Sequence, residues 1–121
     1  MKILDAGHQY SLDCLDGNIE QIITFVKRNG DNFPFNYDSN SGTNCQEVLR
    51  ALIDRTEYLQ NQKPCAETEA IIGNLRTALL LFELRAASNH DRKLKLYSTQ
   101  DLMSGTVCKK CGHIGCIGLC K

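Results

Sequence analysis

The sequence carries no excess charge of either sign: 14 Lys and Arg balance 14 Asp and Glu over 121 residues. That balance removes the global field that would gather nucleic acid, so each basic residue has to be judged by where it clusters. No apolar run approaches the roughly 20 residues of a membrane span, and residues 1–5 are too few and too charged to read as a secretory signal. A soluble, intracellular protein is therefore expected. Hydrolytic and nucleophilic motifs are also missing. His8, His90 and His113 stand far apart, and there is no Gly-rich phosphate loop, HExxH pair or nucleophile elbow. Nothing here recommends an enzyme. The length leaves room for one modest core with an appended segment, not for a second full domain.

What is present is organised around residues 43–87, which read as two helices joined by a tight turn at Lys63, Pro64 and Cys65. Thr43 is placed to cap the first helix, with Gln46 completing a capping box. Pro64 ends it, because proline lacks an N–H and biases its predecessor away from the helical region. Val48, Leu49, Leu52, Ile53 and Leu59 form one apolar stripe, with Arg50, Asp54, Glu57 and Gln60 on other faces. The second helix is apolar around more of its circumference, through Ile71, Ile72, Leu75, Ala78, Leu79, Leu80, Leu81, Phe82 and Leu84. One partner helix cannot cover that much, so the excess is expected to bury under the N-terminal region and against other copies of the chain.

Before this hairpin, residues 2–6 and 9–15 read as strands around a turn at Gly7 and His8, with Tyr10, Leu12 and Cys14 on one face. Residues 16–18 break the strand, and 19–29 read as a helix with Ile19, Ile22, Ile23 and Val26 on one side. Lys27 and Arg28 close it, either as helix-terminating cations or as phosphate ligands. The polar loop 30–42 carries Phe33, Phe35 and Tyr37, which either peg it to the core or stack on a base. After the hairpin, residues 93–97 alternate like a short strand, and Ser98 to Asp101 has the shape of a capping box starting one helical turn through Leu102 and Met103.

The expected fold class is α+β: a short N-terminal β-hairpin and helix, a long antiparallel helical hairpin, and a small Cys-rich C-terminal segment. The corresponding regions are 1–42, 43–90, a linker 91–107, and 108–121. Arg50, Arg55, Arg76 and Arg85 all fall on the hairpin, where Asp54, Glu57 and Glu83 are available to neutralise several of them. Arg76 and Arg85 emerge from the most apolar helix, where a guanidinium near a subunit seam could grip a phosphate.

Several stretches together resemble a family of small phage proteins. They are Asp5-Ala6-Gly7-His8 with Tyr10 and Leu12, the Leu15-Asp16-Gly17 turn, Phe25-Val26-Lys27-Arg28, and the run 46–55 with Tyr58, Leu59, Asn61, Gln62, Pro64 and Cys65. The family shares a helical hairpin and includes phage inhibitors of the Thoeris and CBASS immune systems. The resemblance spans about residues 2–90, and the strand-forming N-terminal region brings it nearer the anti-Thoeris branch. It implies a sponge: a protein that sequesters cyclic ADP-ribose isomers or cyclic oligonucleotides without cleaving them, in the cytoplasm of the infected bacterium. It also implies a homo-oligomer, dimer or hexamer, holding ligands between subunits. The lack of a long apolar run and the net neutrality set aside a membrane and a nucleic acid as expected partners. Where motif and chemistry coincide, Arg28, Arg76 and Arg85 are expected at phosphates, and Tyr10, Phe82 and Asn61 at base or ribose.

Seven cysteines complete the inventory. Cys14, Cys45 and Cys65 are scattered and expected to be small, buried or partly buried residues, whereas Cys108, Cys111, Cys116 and Cys120 crowd into one short segment. The spacing Cys-x2-Cys-x4-Cys-x3-Cys supplies four thiolates, with Gly112 and Gly115 allowing tight turns and His113 as a spare ligand. Zinc is the natural occupant, ahead of an iron–sulfur cluster or labile disulfides. The segment looks like a retroviral-type zinc knuckle, with Cys116 where histidine is usual and the last gap one residue short. Ile114, Ile117 and Leu119 fill the gaps in place of a stacking aromatic, which favours a structural clip or docking tab. The alternative function is thus a zinc-dependent nucleic-acid or protein adaptor that oligomerises through the hairpin.

Overall fold

A computed structural model of the chain describes residues 1–17, 19–26, 42–89 and 103. It has two compact units, Met1–Asn44 and Cys45–Lys121. The α+β class stands, with one helix of the expected set replaced by a strand.

The described residues of the first unit form a three-stranded antiparallel sheet in the order β1-β2-β3, made of β1 (Lys2–Asp5), β2 (Gln9–Leu12) and β3 (Gln21–Thr24). β1 and β2 are the expected hairpin. Its turn is closed by His8 N–H donating to the Asp5 carbonyl at 2.8 Å, and Gly7 takes a φ of +79° there, a conformation that costs glycine nothing. β2 and β3 pair Tyr10 with Ile23 and Ser11 with Ile22. One face therefore carries Tyr10, Ile23 and, diagonally, Phe25, whose ring meets Tyr10 edge-on at 6.0 Å. On the other face Gln9 Nε2 donates to Thr24 Oγ1 at 3.2 Å.

Over its described part, residues 19–26, the helix expected at 19–29 is not formed: residues 21–24 are β3 and Phe25 makes a parallel bridge with Thr43. Ile22, Ile23, Thr24, Phe25 and Val26 are all β-branched or aromatic, and the free edge of β2 offers them ladder hydrogen bonds that a solitary helix turn would not match. The apolar residues at helical spacing are equally compatible with a strand here, so tertiary pairing decides. The same bridge removes Thr43 from its expected capping role. Thr43 donates its N–H to the Thr24 carbonyl and accepts from Val26 N–H, both at 2.8 Å. Asn44 instead directly precedes the helix, at a position asparagine favours. Gly42 lies so close to β3 that an added Cβ would stand 2.7 Å from the Thr24 carbonyl oxygen.

The second unit is the helical hairpin, α1 (Cys45–Gln62) and α2 (Ala66–Asn89), joined at Lys63, Pro64 and Cys65 as expected. Cys65 N–H is received by Gln60 Oε1, and Glu67 and Glu69 place negative charge in the first turn of α2. The core is centred on Ile53 and Leu79, both fully buried, with Leu49, Leu75, Leu80 and Met103 packed against them. Met103, in helical conformation, closes this core from beyond α2.

Arg50 and Leu52 exchange the places expected of them. Arg50 is 6% exposed, whereas Leu52 is 46% and Leu59 39% exposed. The face of α1 that meets α2 is centred on Ile53, and Arg50, one turn away, shares it; Leu52 and Leu59 fall well to one side. Burial of Arg50 is made tolerable by its partners: Glu47 Oε1 receives Nη1 at 2.8 Å, and the fully buried Glu83 receives Nη2 at 3.3 Å. Glu83 and Glu57 do neutralise hairpin arginines, Glu83 taking Arg50 and Glu57 taking Arg76.

Candidate functional site

The two interhelical ion pairs fix the hairpin register, because Arg50 with Glu83 and Glu57 with Arg76 require the helices to run antiparallel. At about 100° per residue, Ile72, Leu75, Leu79 and Glu83 form the side of α2 that faces α1. A second stripe runs roughly a third of a turn away, through Glu67, Ile71, Asn74, Ala78, Leu81 and Arg85, with Phe82 at its flank. Ile71 is 48% and Leu81 59% exposed, and Phe82 is half-buried. On α1 the residues Val48, Leu52, Arg55 and Leu59 are offset from the contact face by about the same angle and in the same rotational sense. In antiparallel helices equal offsets open onto one side, so both stripes share one broad face of the hairpin. Its apolar residues are interrupted by Glu67, Asn74, Arg55 and Arg85, and Arg55 lies 5.7 Å from the centre of the Tyr58 ring.

The expected ligand residues divide on this geometry. Phe82 and Arg85, three residues apart on α2, are neighbours on the exposed side, and Arg85 forms no ion pair among the described residues. Arg76 is nine residues from Arg85, which turns it about 180° away and sets it about 13 Å along the axis. Within one chain the two guanidinium groups cannot converge on one phosphate, and Arg76 is engaged by Glu57. Asn61 is exposed beside the hairpin turn, at the end of the unit away from Arg85. Tyr10 belongs to the sheet unit, where its ring is held by Phe25. Arg28, the aromatic loop 30–41 and the four cysteines Cys108, Cys111, Cys116 and Cys120 lie outside the described residues, as do the expected strand at 93–97 and the capping box at 98–101.

The sheet unit carries an open cleft of about 500 Å³ lined by Lys2, Asp13, Cys14, Gly17, Ile19 and Glu20. Its two carboxylates are already engaged. Asp13 accepts the Met1 ammonium at 2.8 Å, which holds its carboxyl below the usual range, and Glu20 receives the hydroxyl of the buried Ser11. Two carboxylates against Lys2 and one ammonium make poor ground for a phosphate, so the cleft is a weaker candidate than the hairpin face.

Of the scattered cysteines, Cys14 is partly buried as expected, but Cys45 and Cys65 are exposed. Each stands at the start of a helix, where the first backbone N–H groups are left to solvent and caps. Cys65 Sγ lies 2.9 Å from Thr68 Oγ1.

Sequence reasoning singled out Arg85 and Phe82 but not Glu67 or Asn74, which complete the exposed stripe. The signal was available in their spacing, but becomes legible only once the face turned toward α1 is known. Comparison with known protein families, curated proteins and solved structures finds no match.

Proposed function

We propose that the protein is a phage anti-defence protein that binds and sequesters a bacterial immune signalling nucleotide, a cyclic ADP-ribose isomer or a cyclic oligonucleotide, without cleaving it. The observation that carries this reading is an exposed arginine that forms no ion pair among the described residues, Arg85, three residues along α2 from the half-buried ring of Phe82. A guanidinium can bind a phosphate bidentately, and a ring edge or face can pack on a base once a second subunit encloses it. Sequestration needs a dry, pre-formed seam and no catalytic group, and the hairpin supplies apolar surface with cations at its margin.

Incubating the purified chain with a panel of cyclic ADP-ribose isomers and cyclic di- and trinucleotides, then filtering, tests the reading. One of them is expected to disappear from the filtrate in stoichiometric amount and to return unchanged after heat denaturation. Arg85→Ala is expected to weaken capture by about 10- to 100-fold, the size of a lost charge-assisted contact. A panel left wholly free, or returned cleaved, would sink the proposal.

The C-terminal segment adds a structural zinc to the proposal. Four thiolates in a reducing cell suit Zn²⁺, which Cys108, Cys111, Cys116 and Cys120 would hold as a clip on the end of the chain. Elemental analysis of the purified protein is expected to find one zinc per chain, lost from a Cys108→Ser/Cys111→Ser variant. Stoichiometric zinc retained by that variant would rule the assignment out.

A further inference from the structure

Along the exposed stripe of α2, Glu67, Ile71, Asn74, Ala78, Leu81 and Arg85 follow one another at intervals of 4, 3, 4, 3 and 4 residues. The series is the same read from either end. Reversal about position 76 exchanges Glu67 with Arg85, Ile71 with Leu81, and Asn74 with Ala78. We propose that this stripe is a two-fold seam on which α2 packs antiparallel against α2 of a second copy of the chain.

The five steps cover 18 residues, the repeat of the α-helix itself, so the six residues stay on one side of α2 along its whole length. The seam runs about 27 Å from Glu67 to Arg85. Ile71 and Leu81 are left about half exposed within the chain, which is a poor state for two large aliphatic side chains on a stripe that also contains Ala78. Two-fold packing sets Ile71 of each copy against the partner's Leu81. It also sets Asn74 against the partner's Ala78, where a small side chain leaves room for the amide.

Charge decides the direction. Glu67 and Arg85 are both exposed and form no ion pair with each other or with other described residues. Antiparallel packing sets Glu67 against Arg85 of the partner subunit at both ends of the seam, two attractive contacts per dimer. Parallel packing in register would oppose Glu67 to Glu67 and Arg85 to Arg85, two repulsive ones. A polar residue within an apolar seam further restricts register, the use to which asparagine is put in coiled coils. Leu52 and Leu59 of α1 open onto the same side and widen the covered surface beyond α2.

This seam specifies the subunit contact of the proposed sponge but stands whether or not a nucleotide binds. A ligand phosphate at Arg85 would take the place of the partner's Glu67 carboxylate.

Sedimentation velocity on the full chain across the micromolar range tests the seam. The unaltered protein is expected to associate through dimers, and Glu67→Arg and Arg85→Glu are each expected to weaken association at least about tenfold, because each creates like-charge contacts at both ends. Both positions are exposed, so helix content by circular dichroism should be retained. An equimolar mixture of the two variants is the decisive sample. In the heterodimer the two introduced side chains, of opposite charge, face each other at one end of the seam, while native Glu67 and native Arg85 face each other at the other. The mixture should therefore regain the association of the unaltered protein. A monomer at every concentration, a dimer indifferent to both substitutions, or a mixture no tighter than its components would overturn the seam. Nucleotide capture measured on the same samples keeps a failure of sequestration distinguishable from a failure of the seam.

Discussion

Arg50→Met is expected to destabilise the helical hairpin by about 3–5 kcal/mol, the cost of withdrawing one partner from a buried ion pair. Methionine preserves most of the aliphatic stem, so the loss reports on charge rather than on volume. Glu83 is fully buried and receives Arg50 Nη2 at 3.3 Å; removal of the guanidinium takes a cation from a carboxylate that has no access to water. Since a small domain is stable by only about 5–15 kcal/mol, the variant should lose much of its cooperative unfolding transition in guanidinium titrations followed by circular dichroism. The double variant Arg50→Met/Glu83→Leu should recover most of the loss, because an apolar pair of similar volume often equals or exceeds a buried ion pair in stability. A loss below about 1 kcal/mol in the single variant would mean that the pair is solvated and that α1 and α2 do not pack through this face.

Leu79→Ala is expected to cost about 2–5 kcal/mol. Leu79 is fully buried, and its side chain is the point at which α2 meets Ile53, with Leu49, Leu75, Leu80 and Met103 around it. Truncation both forfeits the transfer of the side chain from water and leaves a cavity that helices anchored at Pro64 and at the Arg50–Glu83 pair can only partly close. Leu81→Ala, two residues on and 59% exposed, supplies the contrast. In dilute solution it should change stability by no more than about 0.5 kcal/mol, and its cost should rise with protein concentration as the two-fold seam fills. Equal costs for the two leucines at low concentration would place the centre of the hairpin elsewhere.

The parts of the fold that were legible in the sequence are those whose determinants are local. Pro64 between two long helix-forming stretches marked the helix–helix turn, and Gly7 between two short alternating runs marked the β-hairpin. The helix expected over 19–29 went the other way because Ile19, Ile22, Ile23 and Val26 satisfy a helical pattern while the run Ile22 to Val26 consists of residues that strands prefer. Only the open edge of β2 breaks that tie. Thr43 as a helix cap failed for a similar reason: its backbone is claimed by Thr24 and Val26, partners that no local pattern announces.

The candidate site was legible to the same degree. Composition established that α2 is too apolar for one partner helix, and Arg85 and Phe82 could be picked out on it. Which side of α2 is left over depends on the angular position of Ile53 and Leu79, a property of the packed pair. With that position known, Arg50 moves from surface to core, Arg76 moves to the flank beside Glu57, and Glu67, Asn74 and Arg85 line up on the open side.

The sequence by itself determined the α+β class, the two hairpins, the absence of any net charge and the cysteine spacing that suits zinc, because turn residues, side-chain periodicity and donor chemistry act over a few residues. Tertiary structure alone decided that 21–24 is a strand, that Arg50 and Glu83 meet in the core, and that one stripe of α2 remains exposed. Those outcomes depend on which surface finds a partner first, and in a chain whose apolar residues surround a helix, burial of one side is what defines the other.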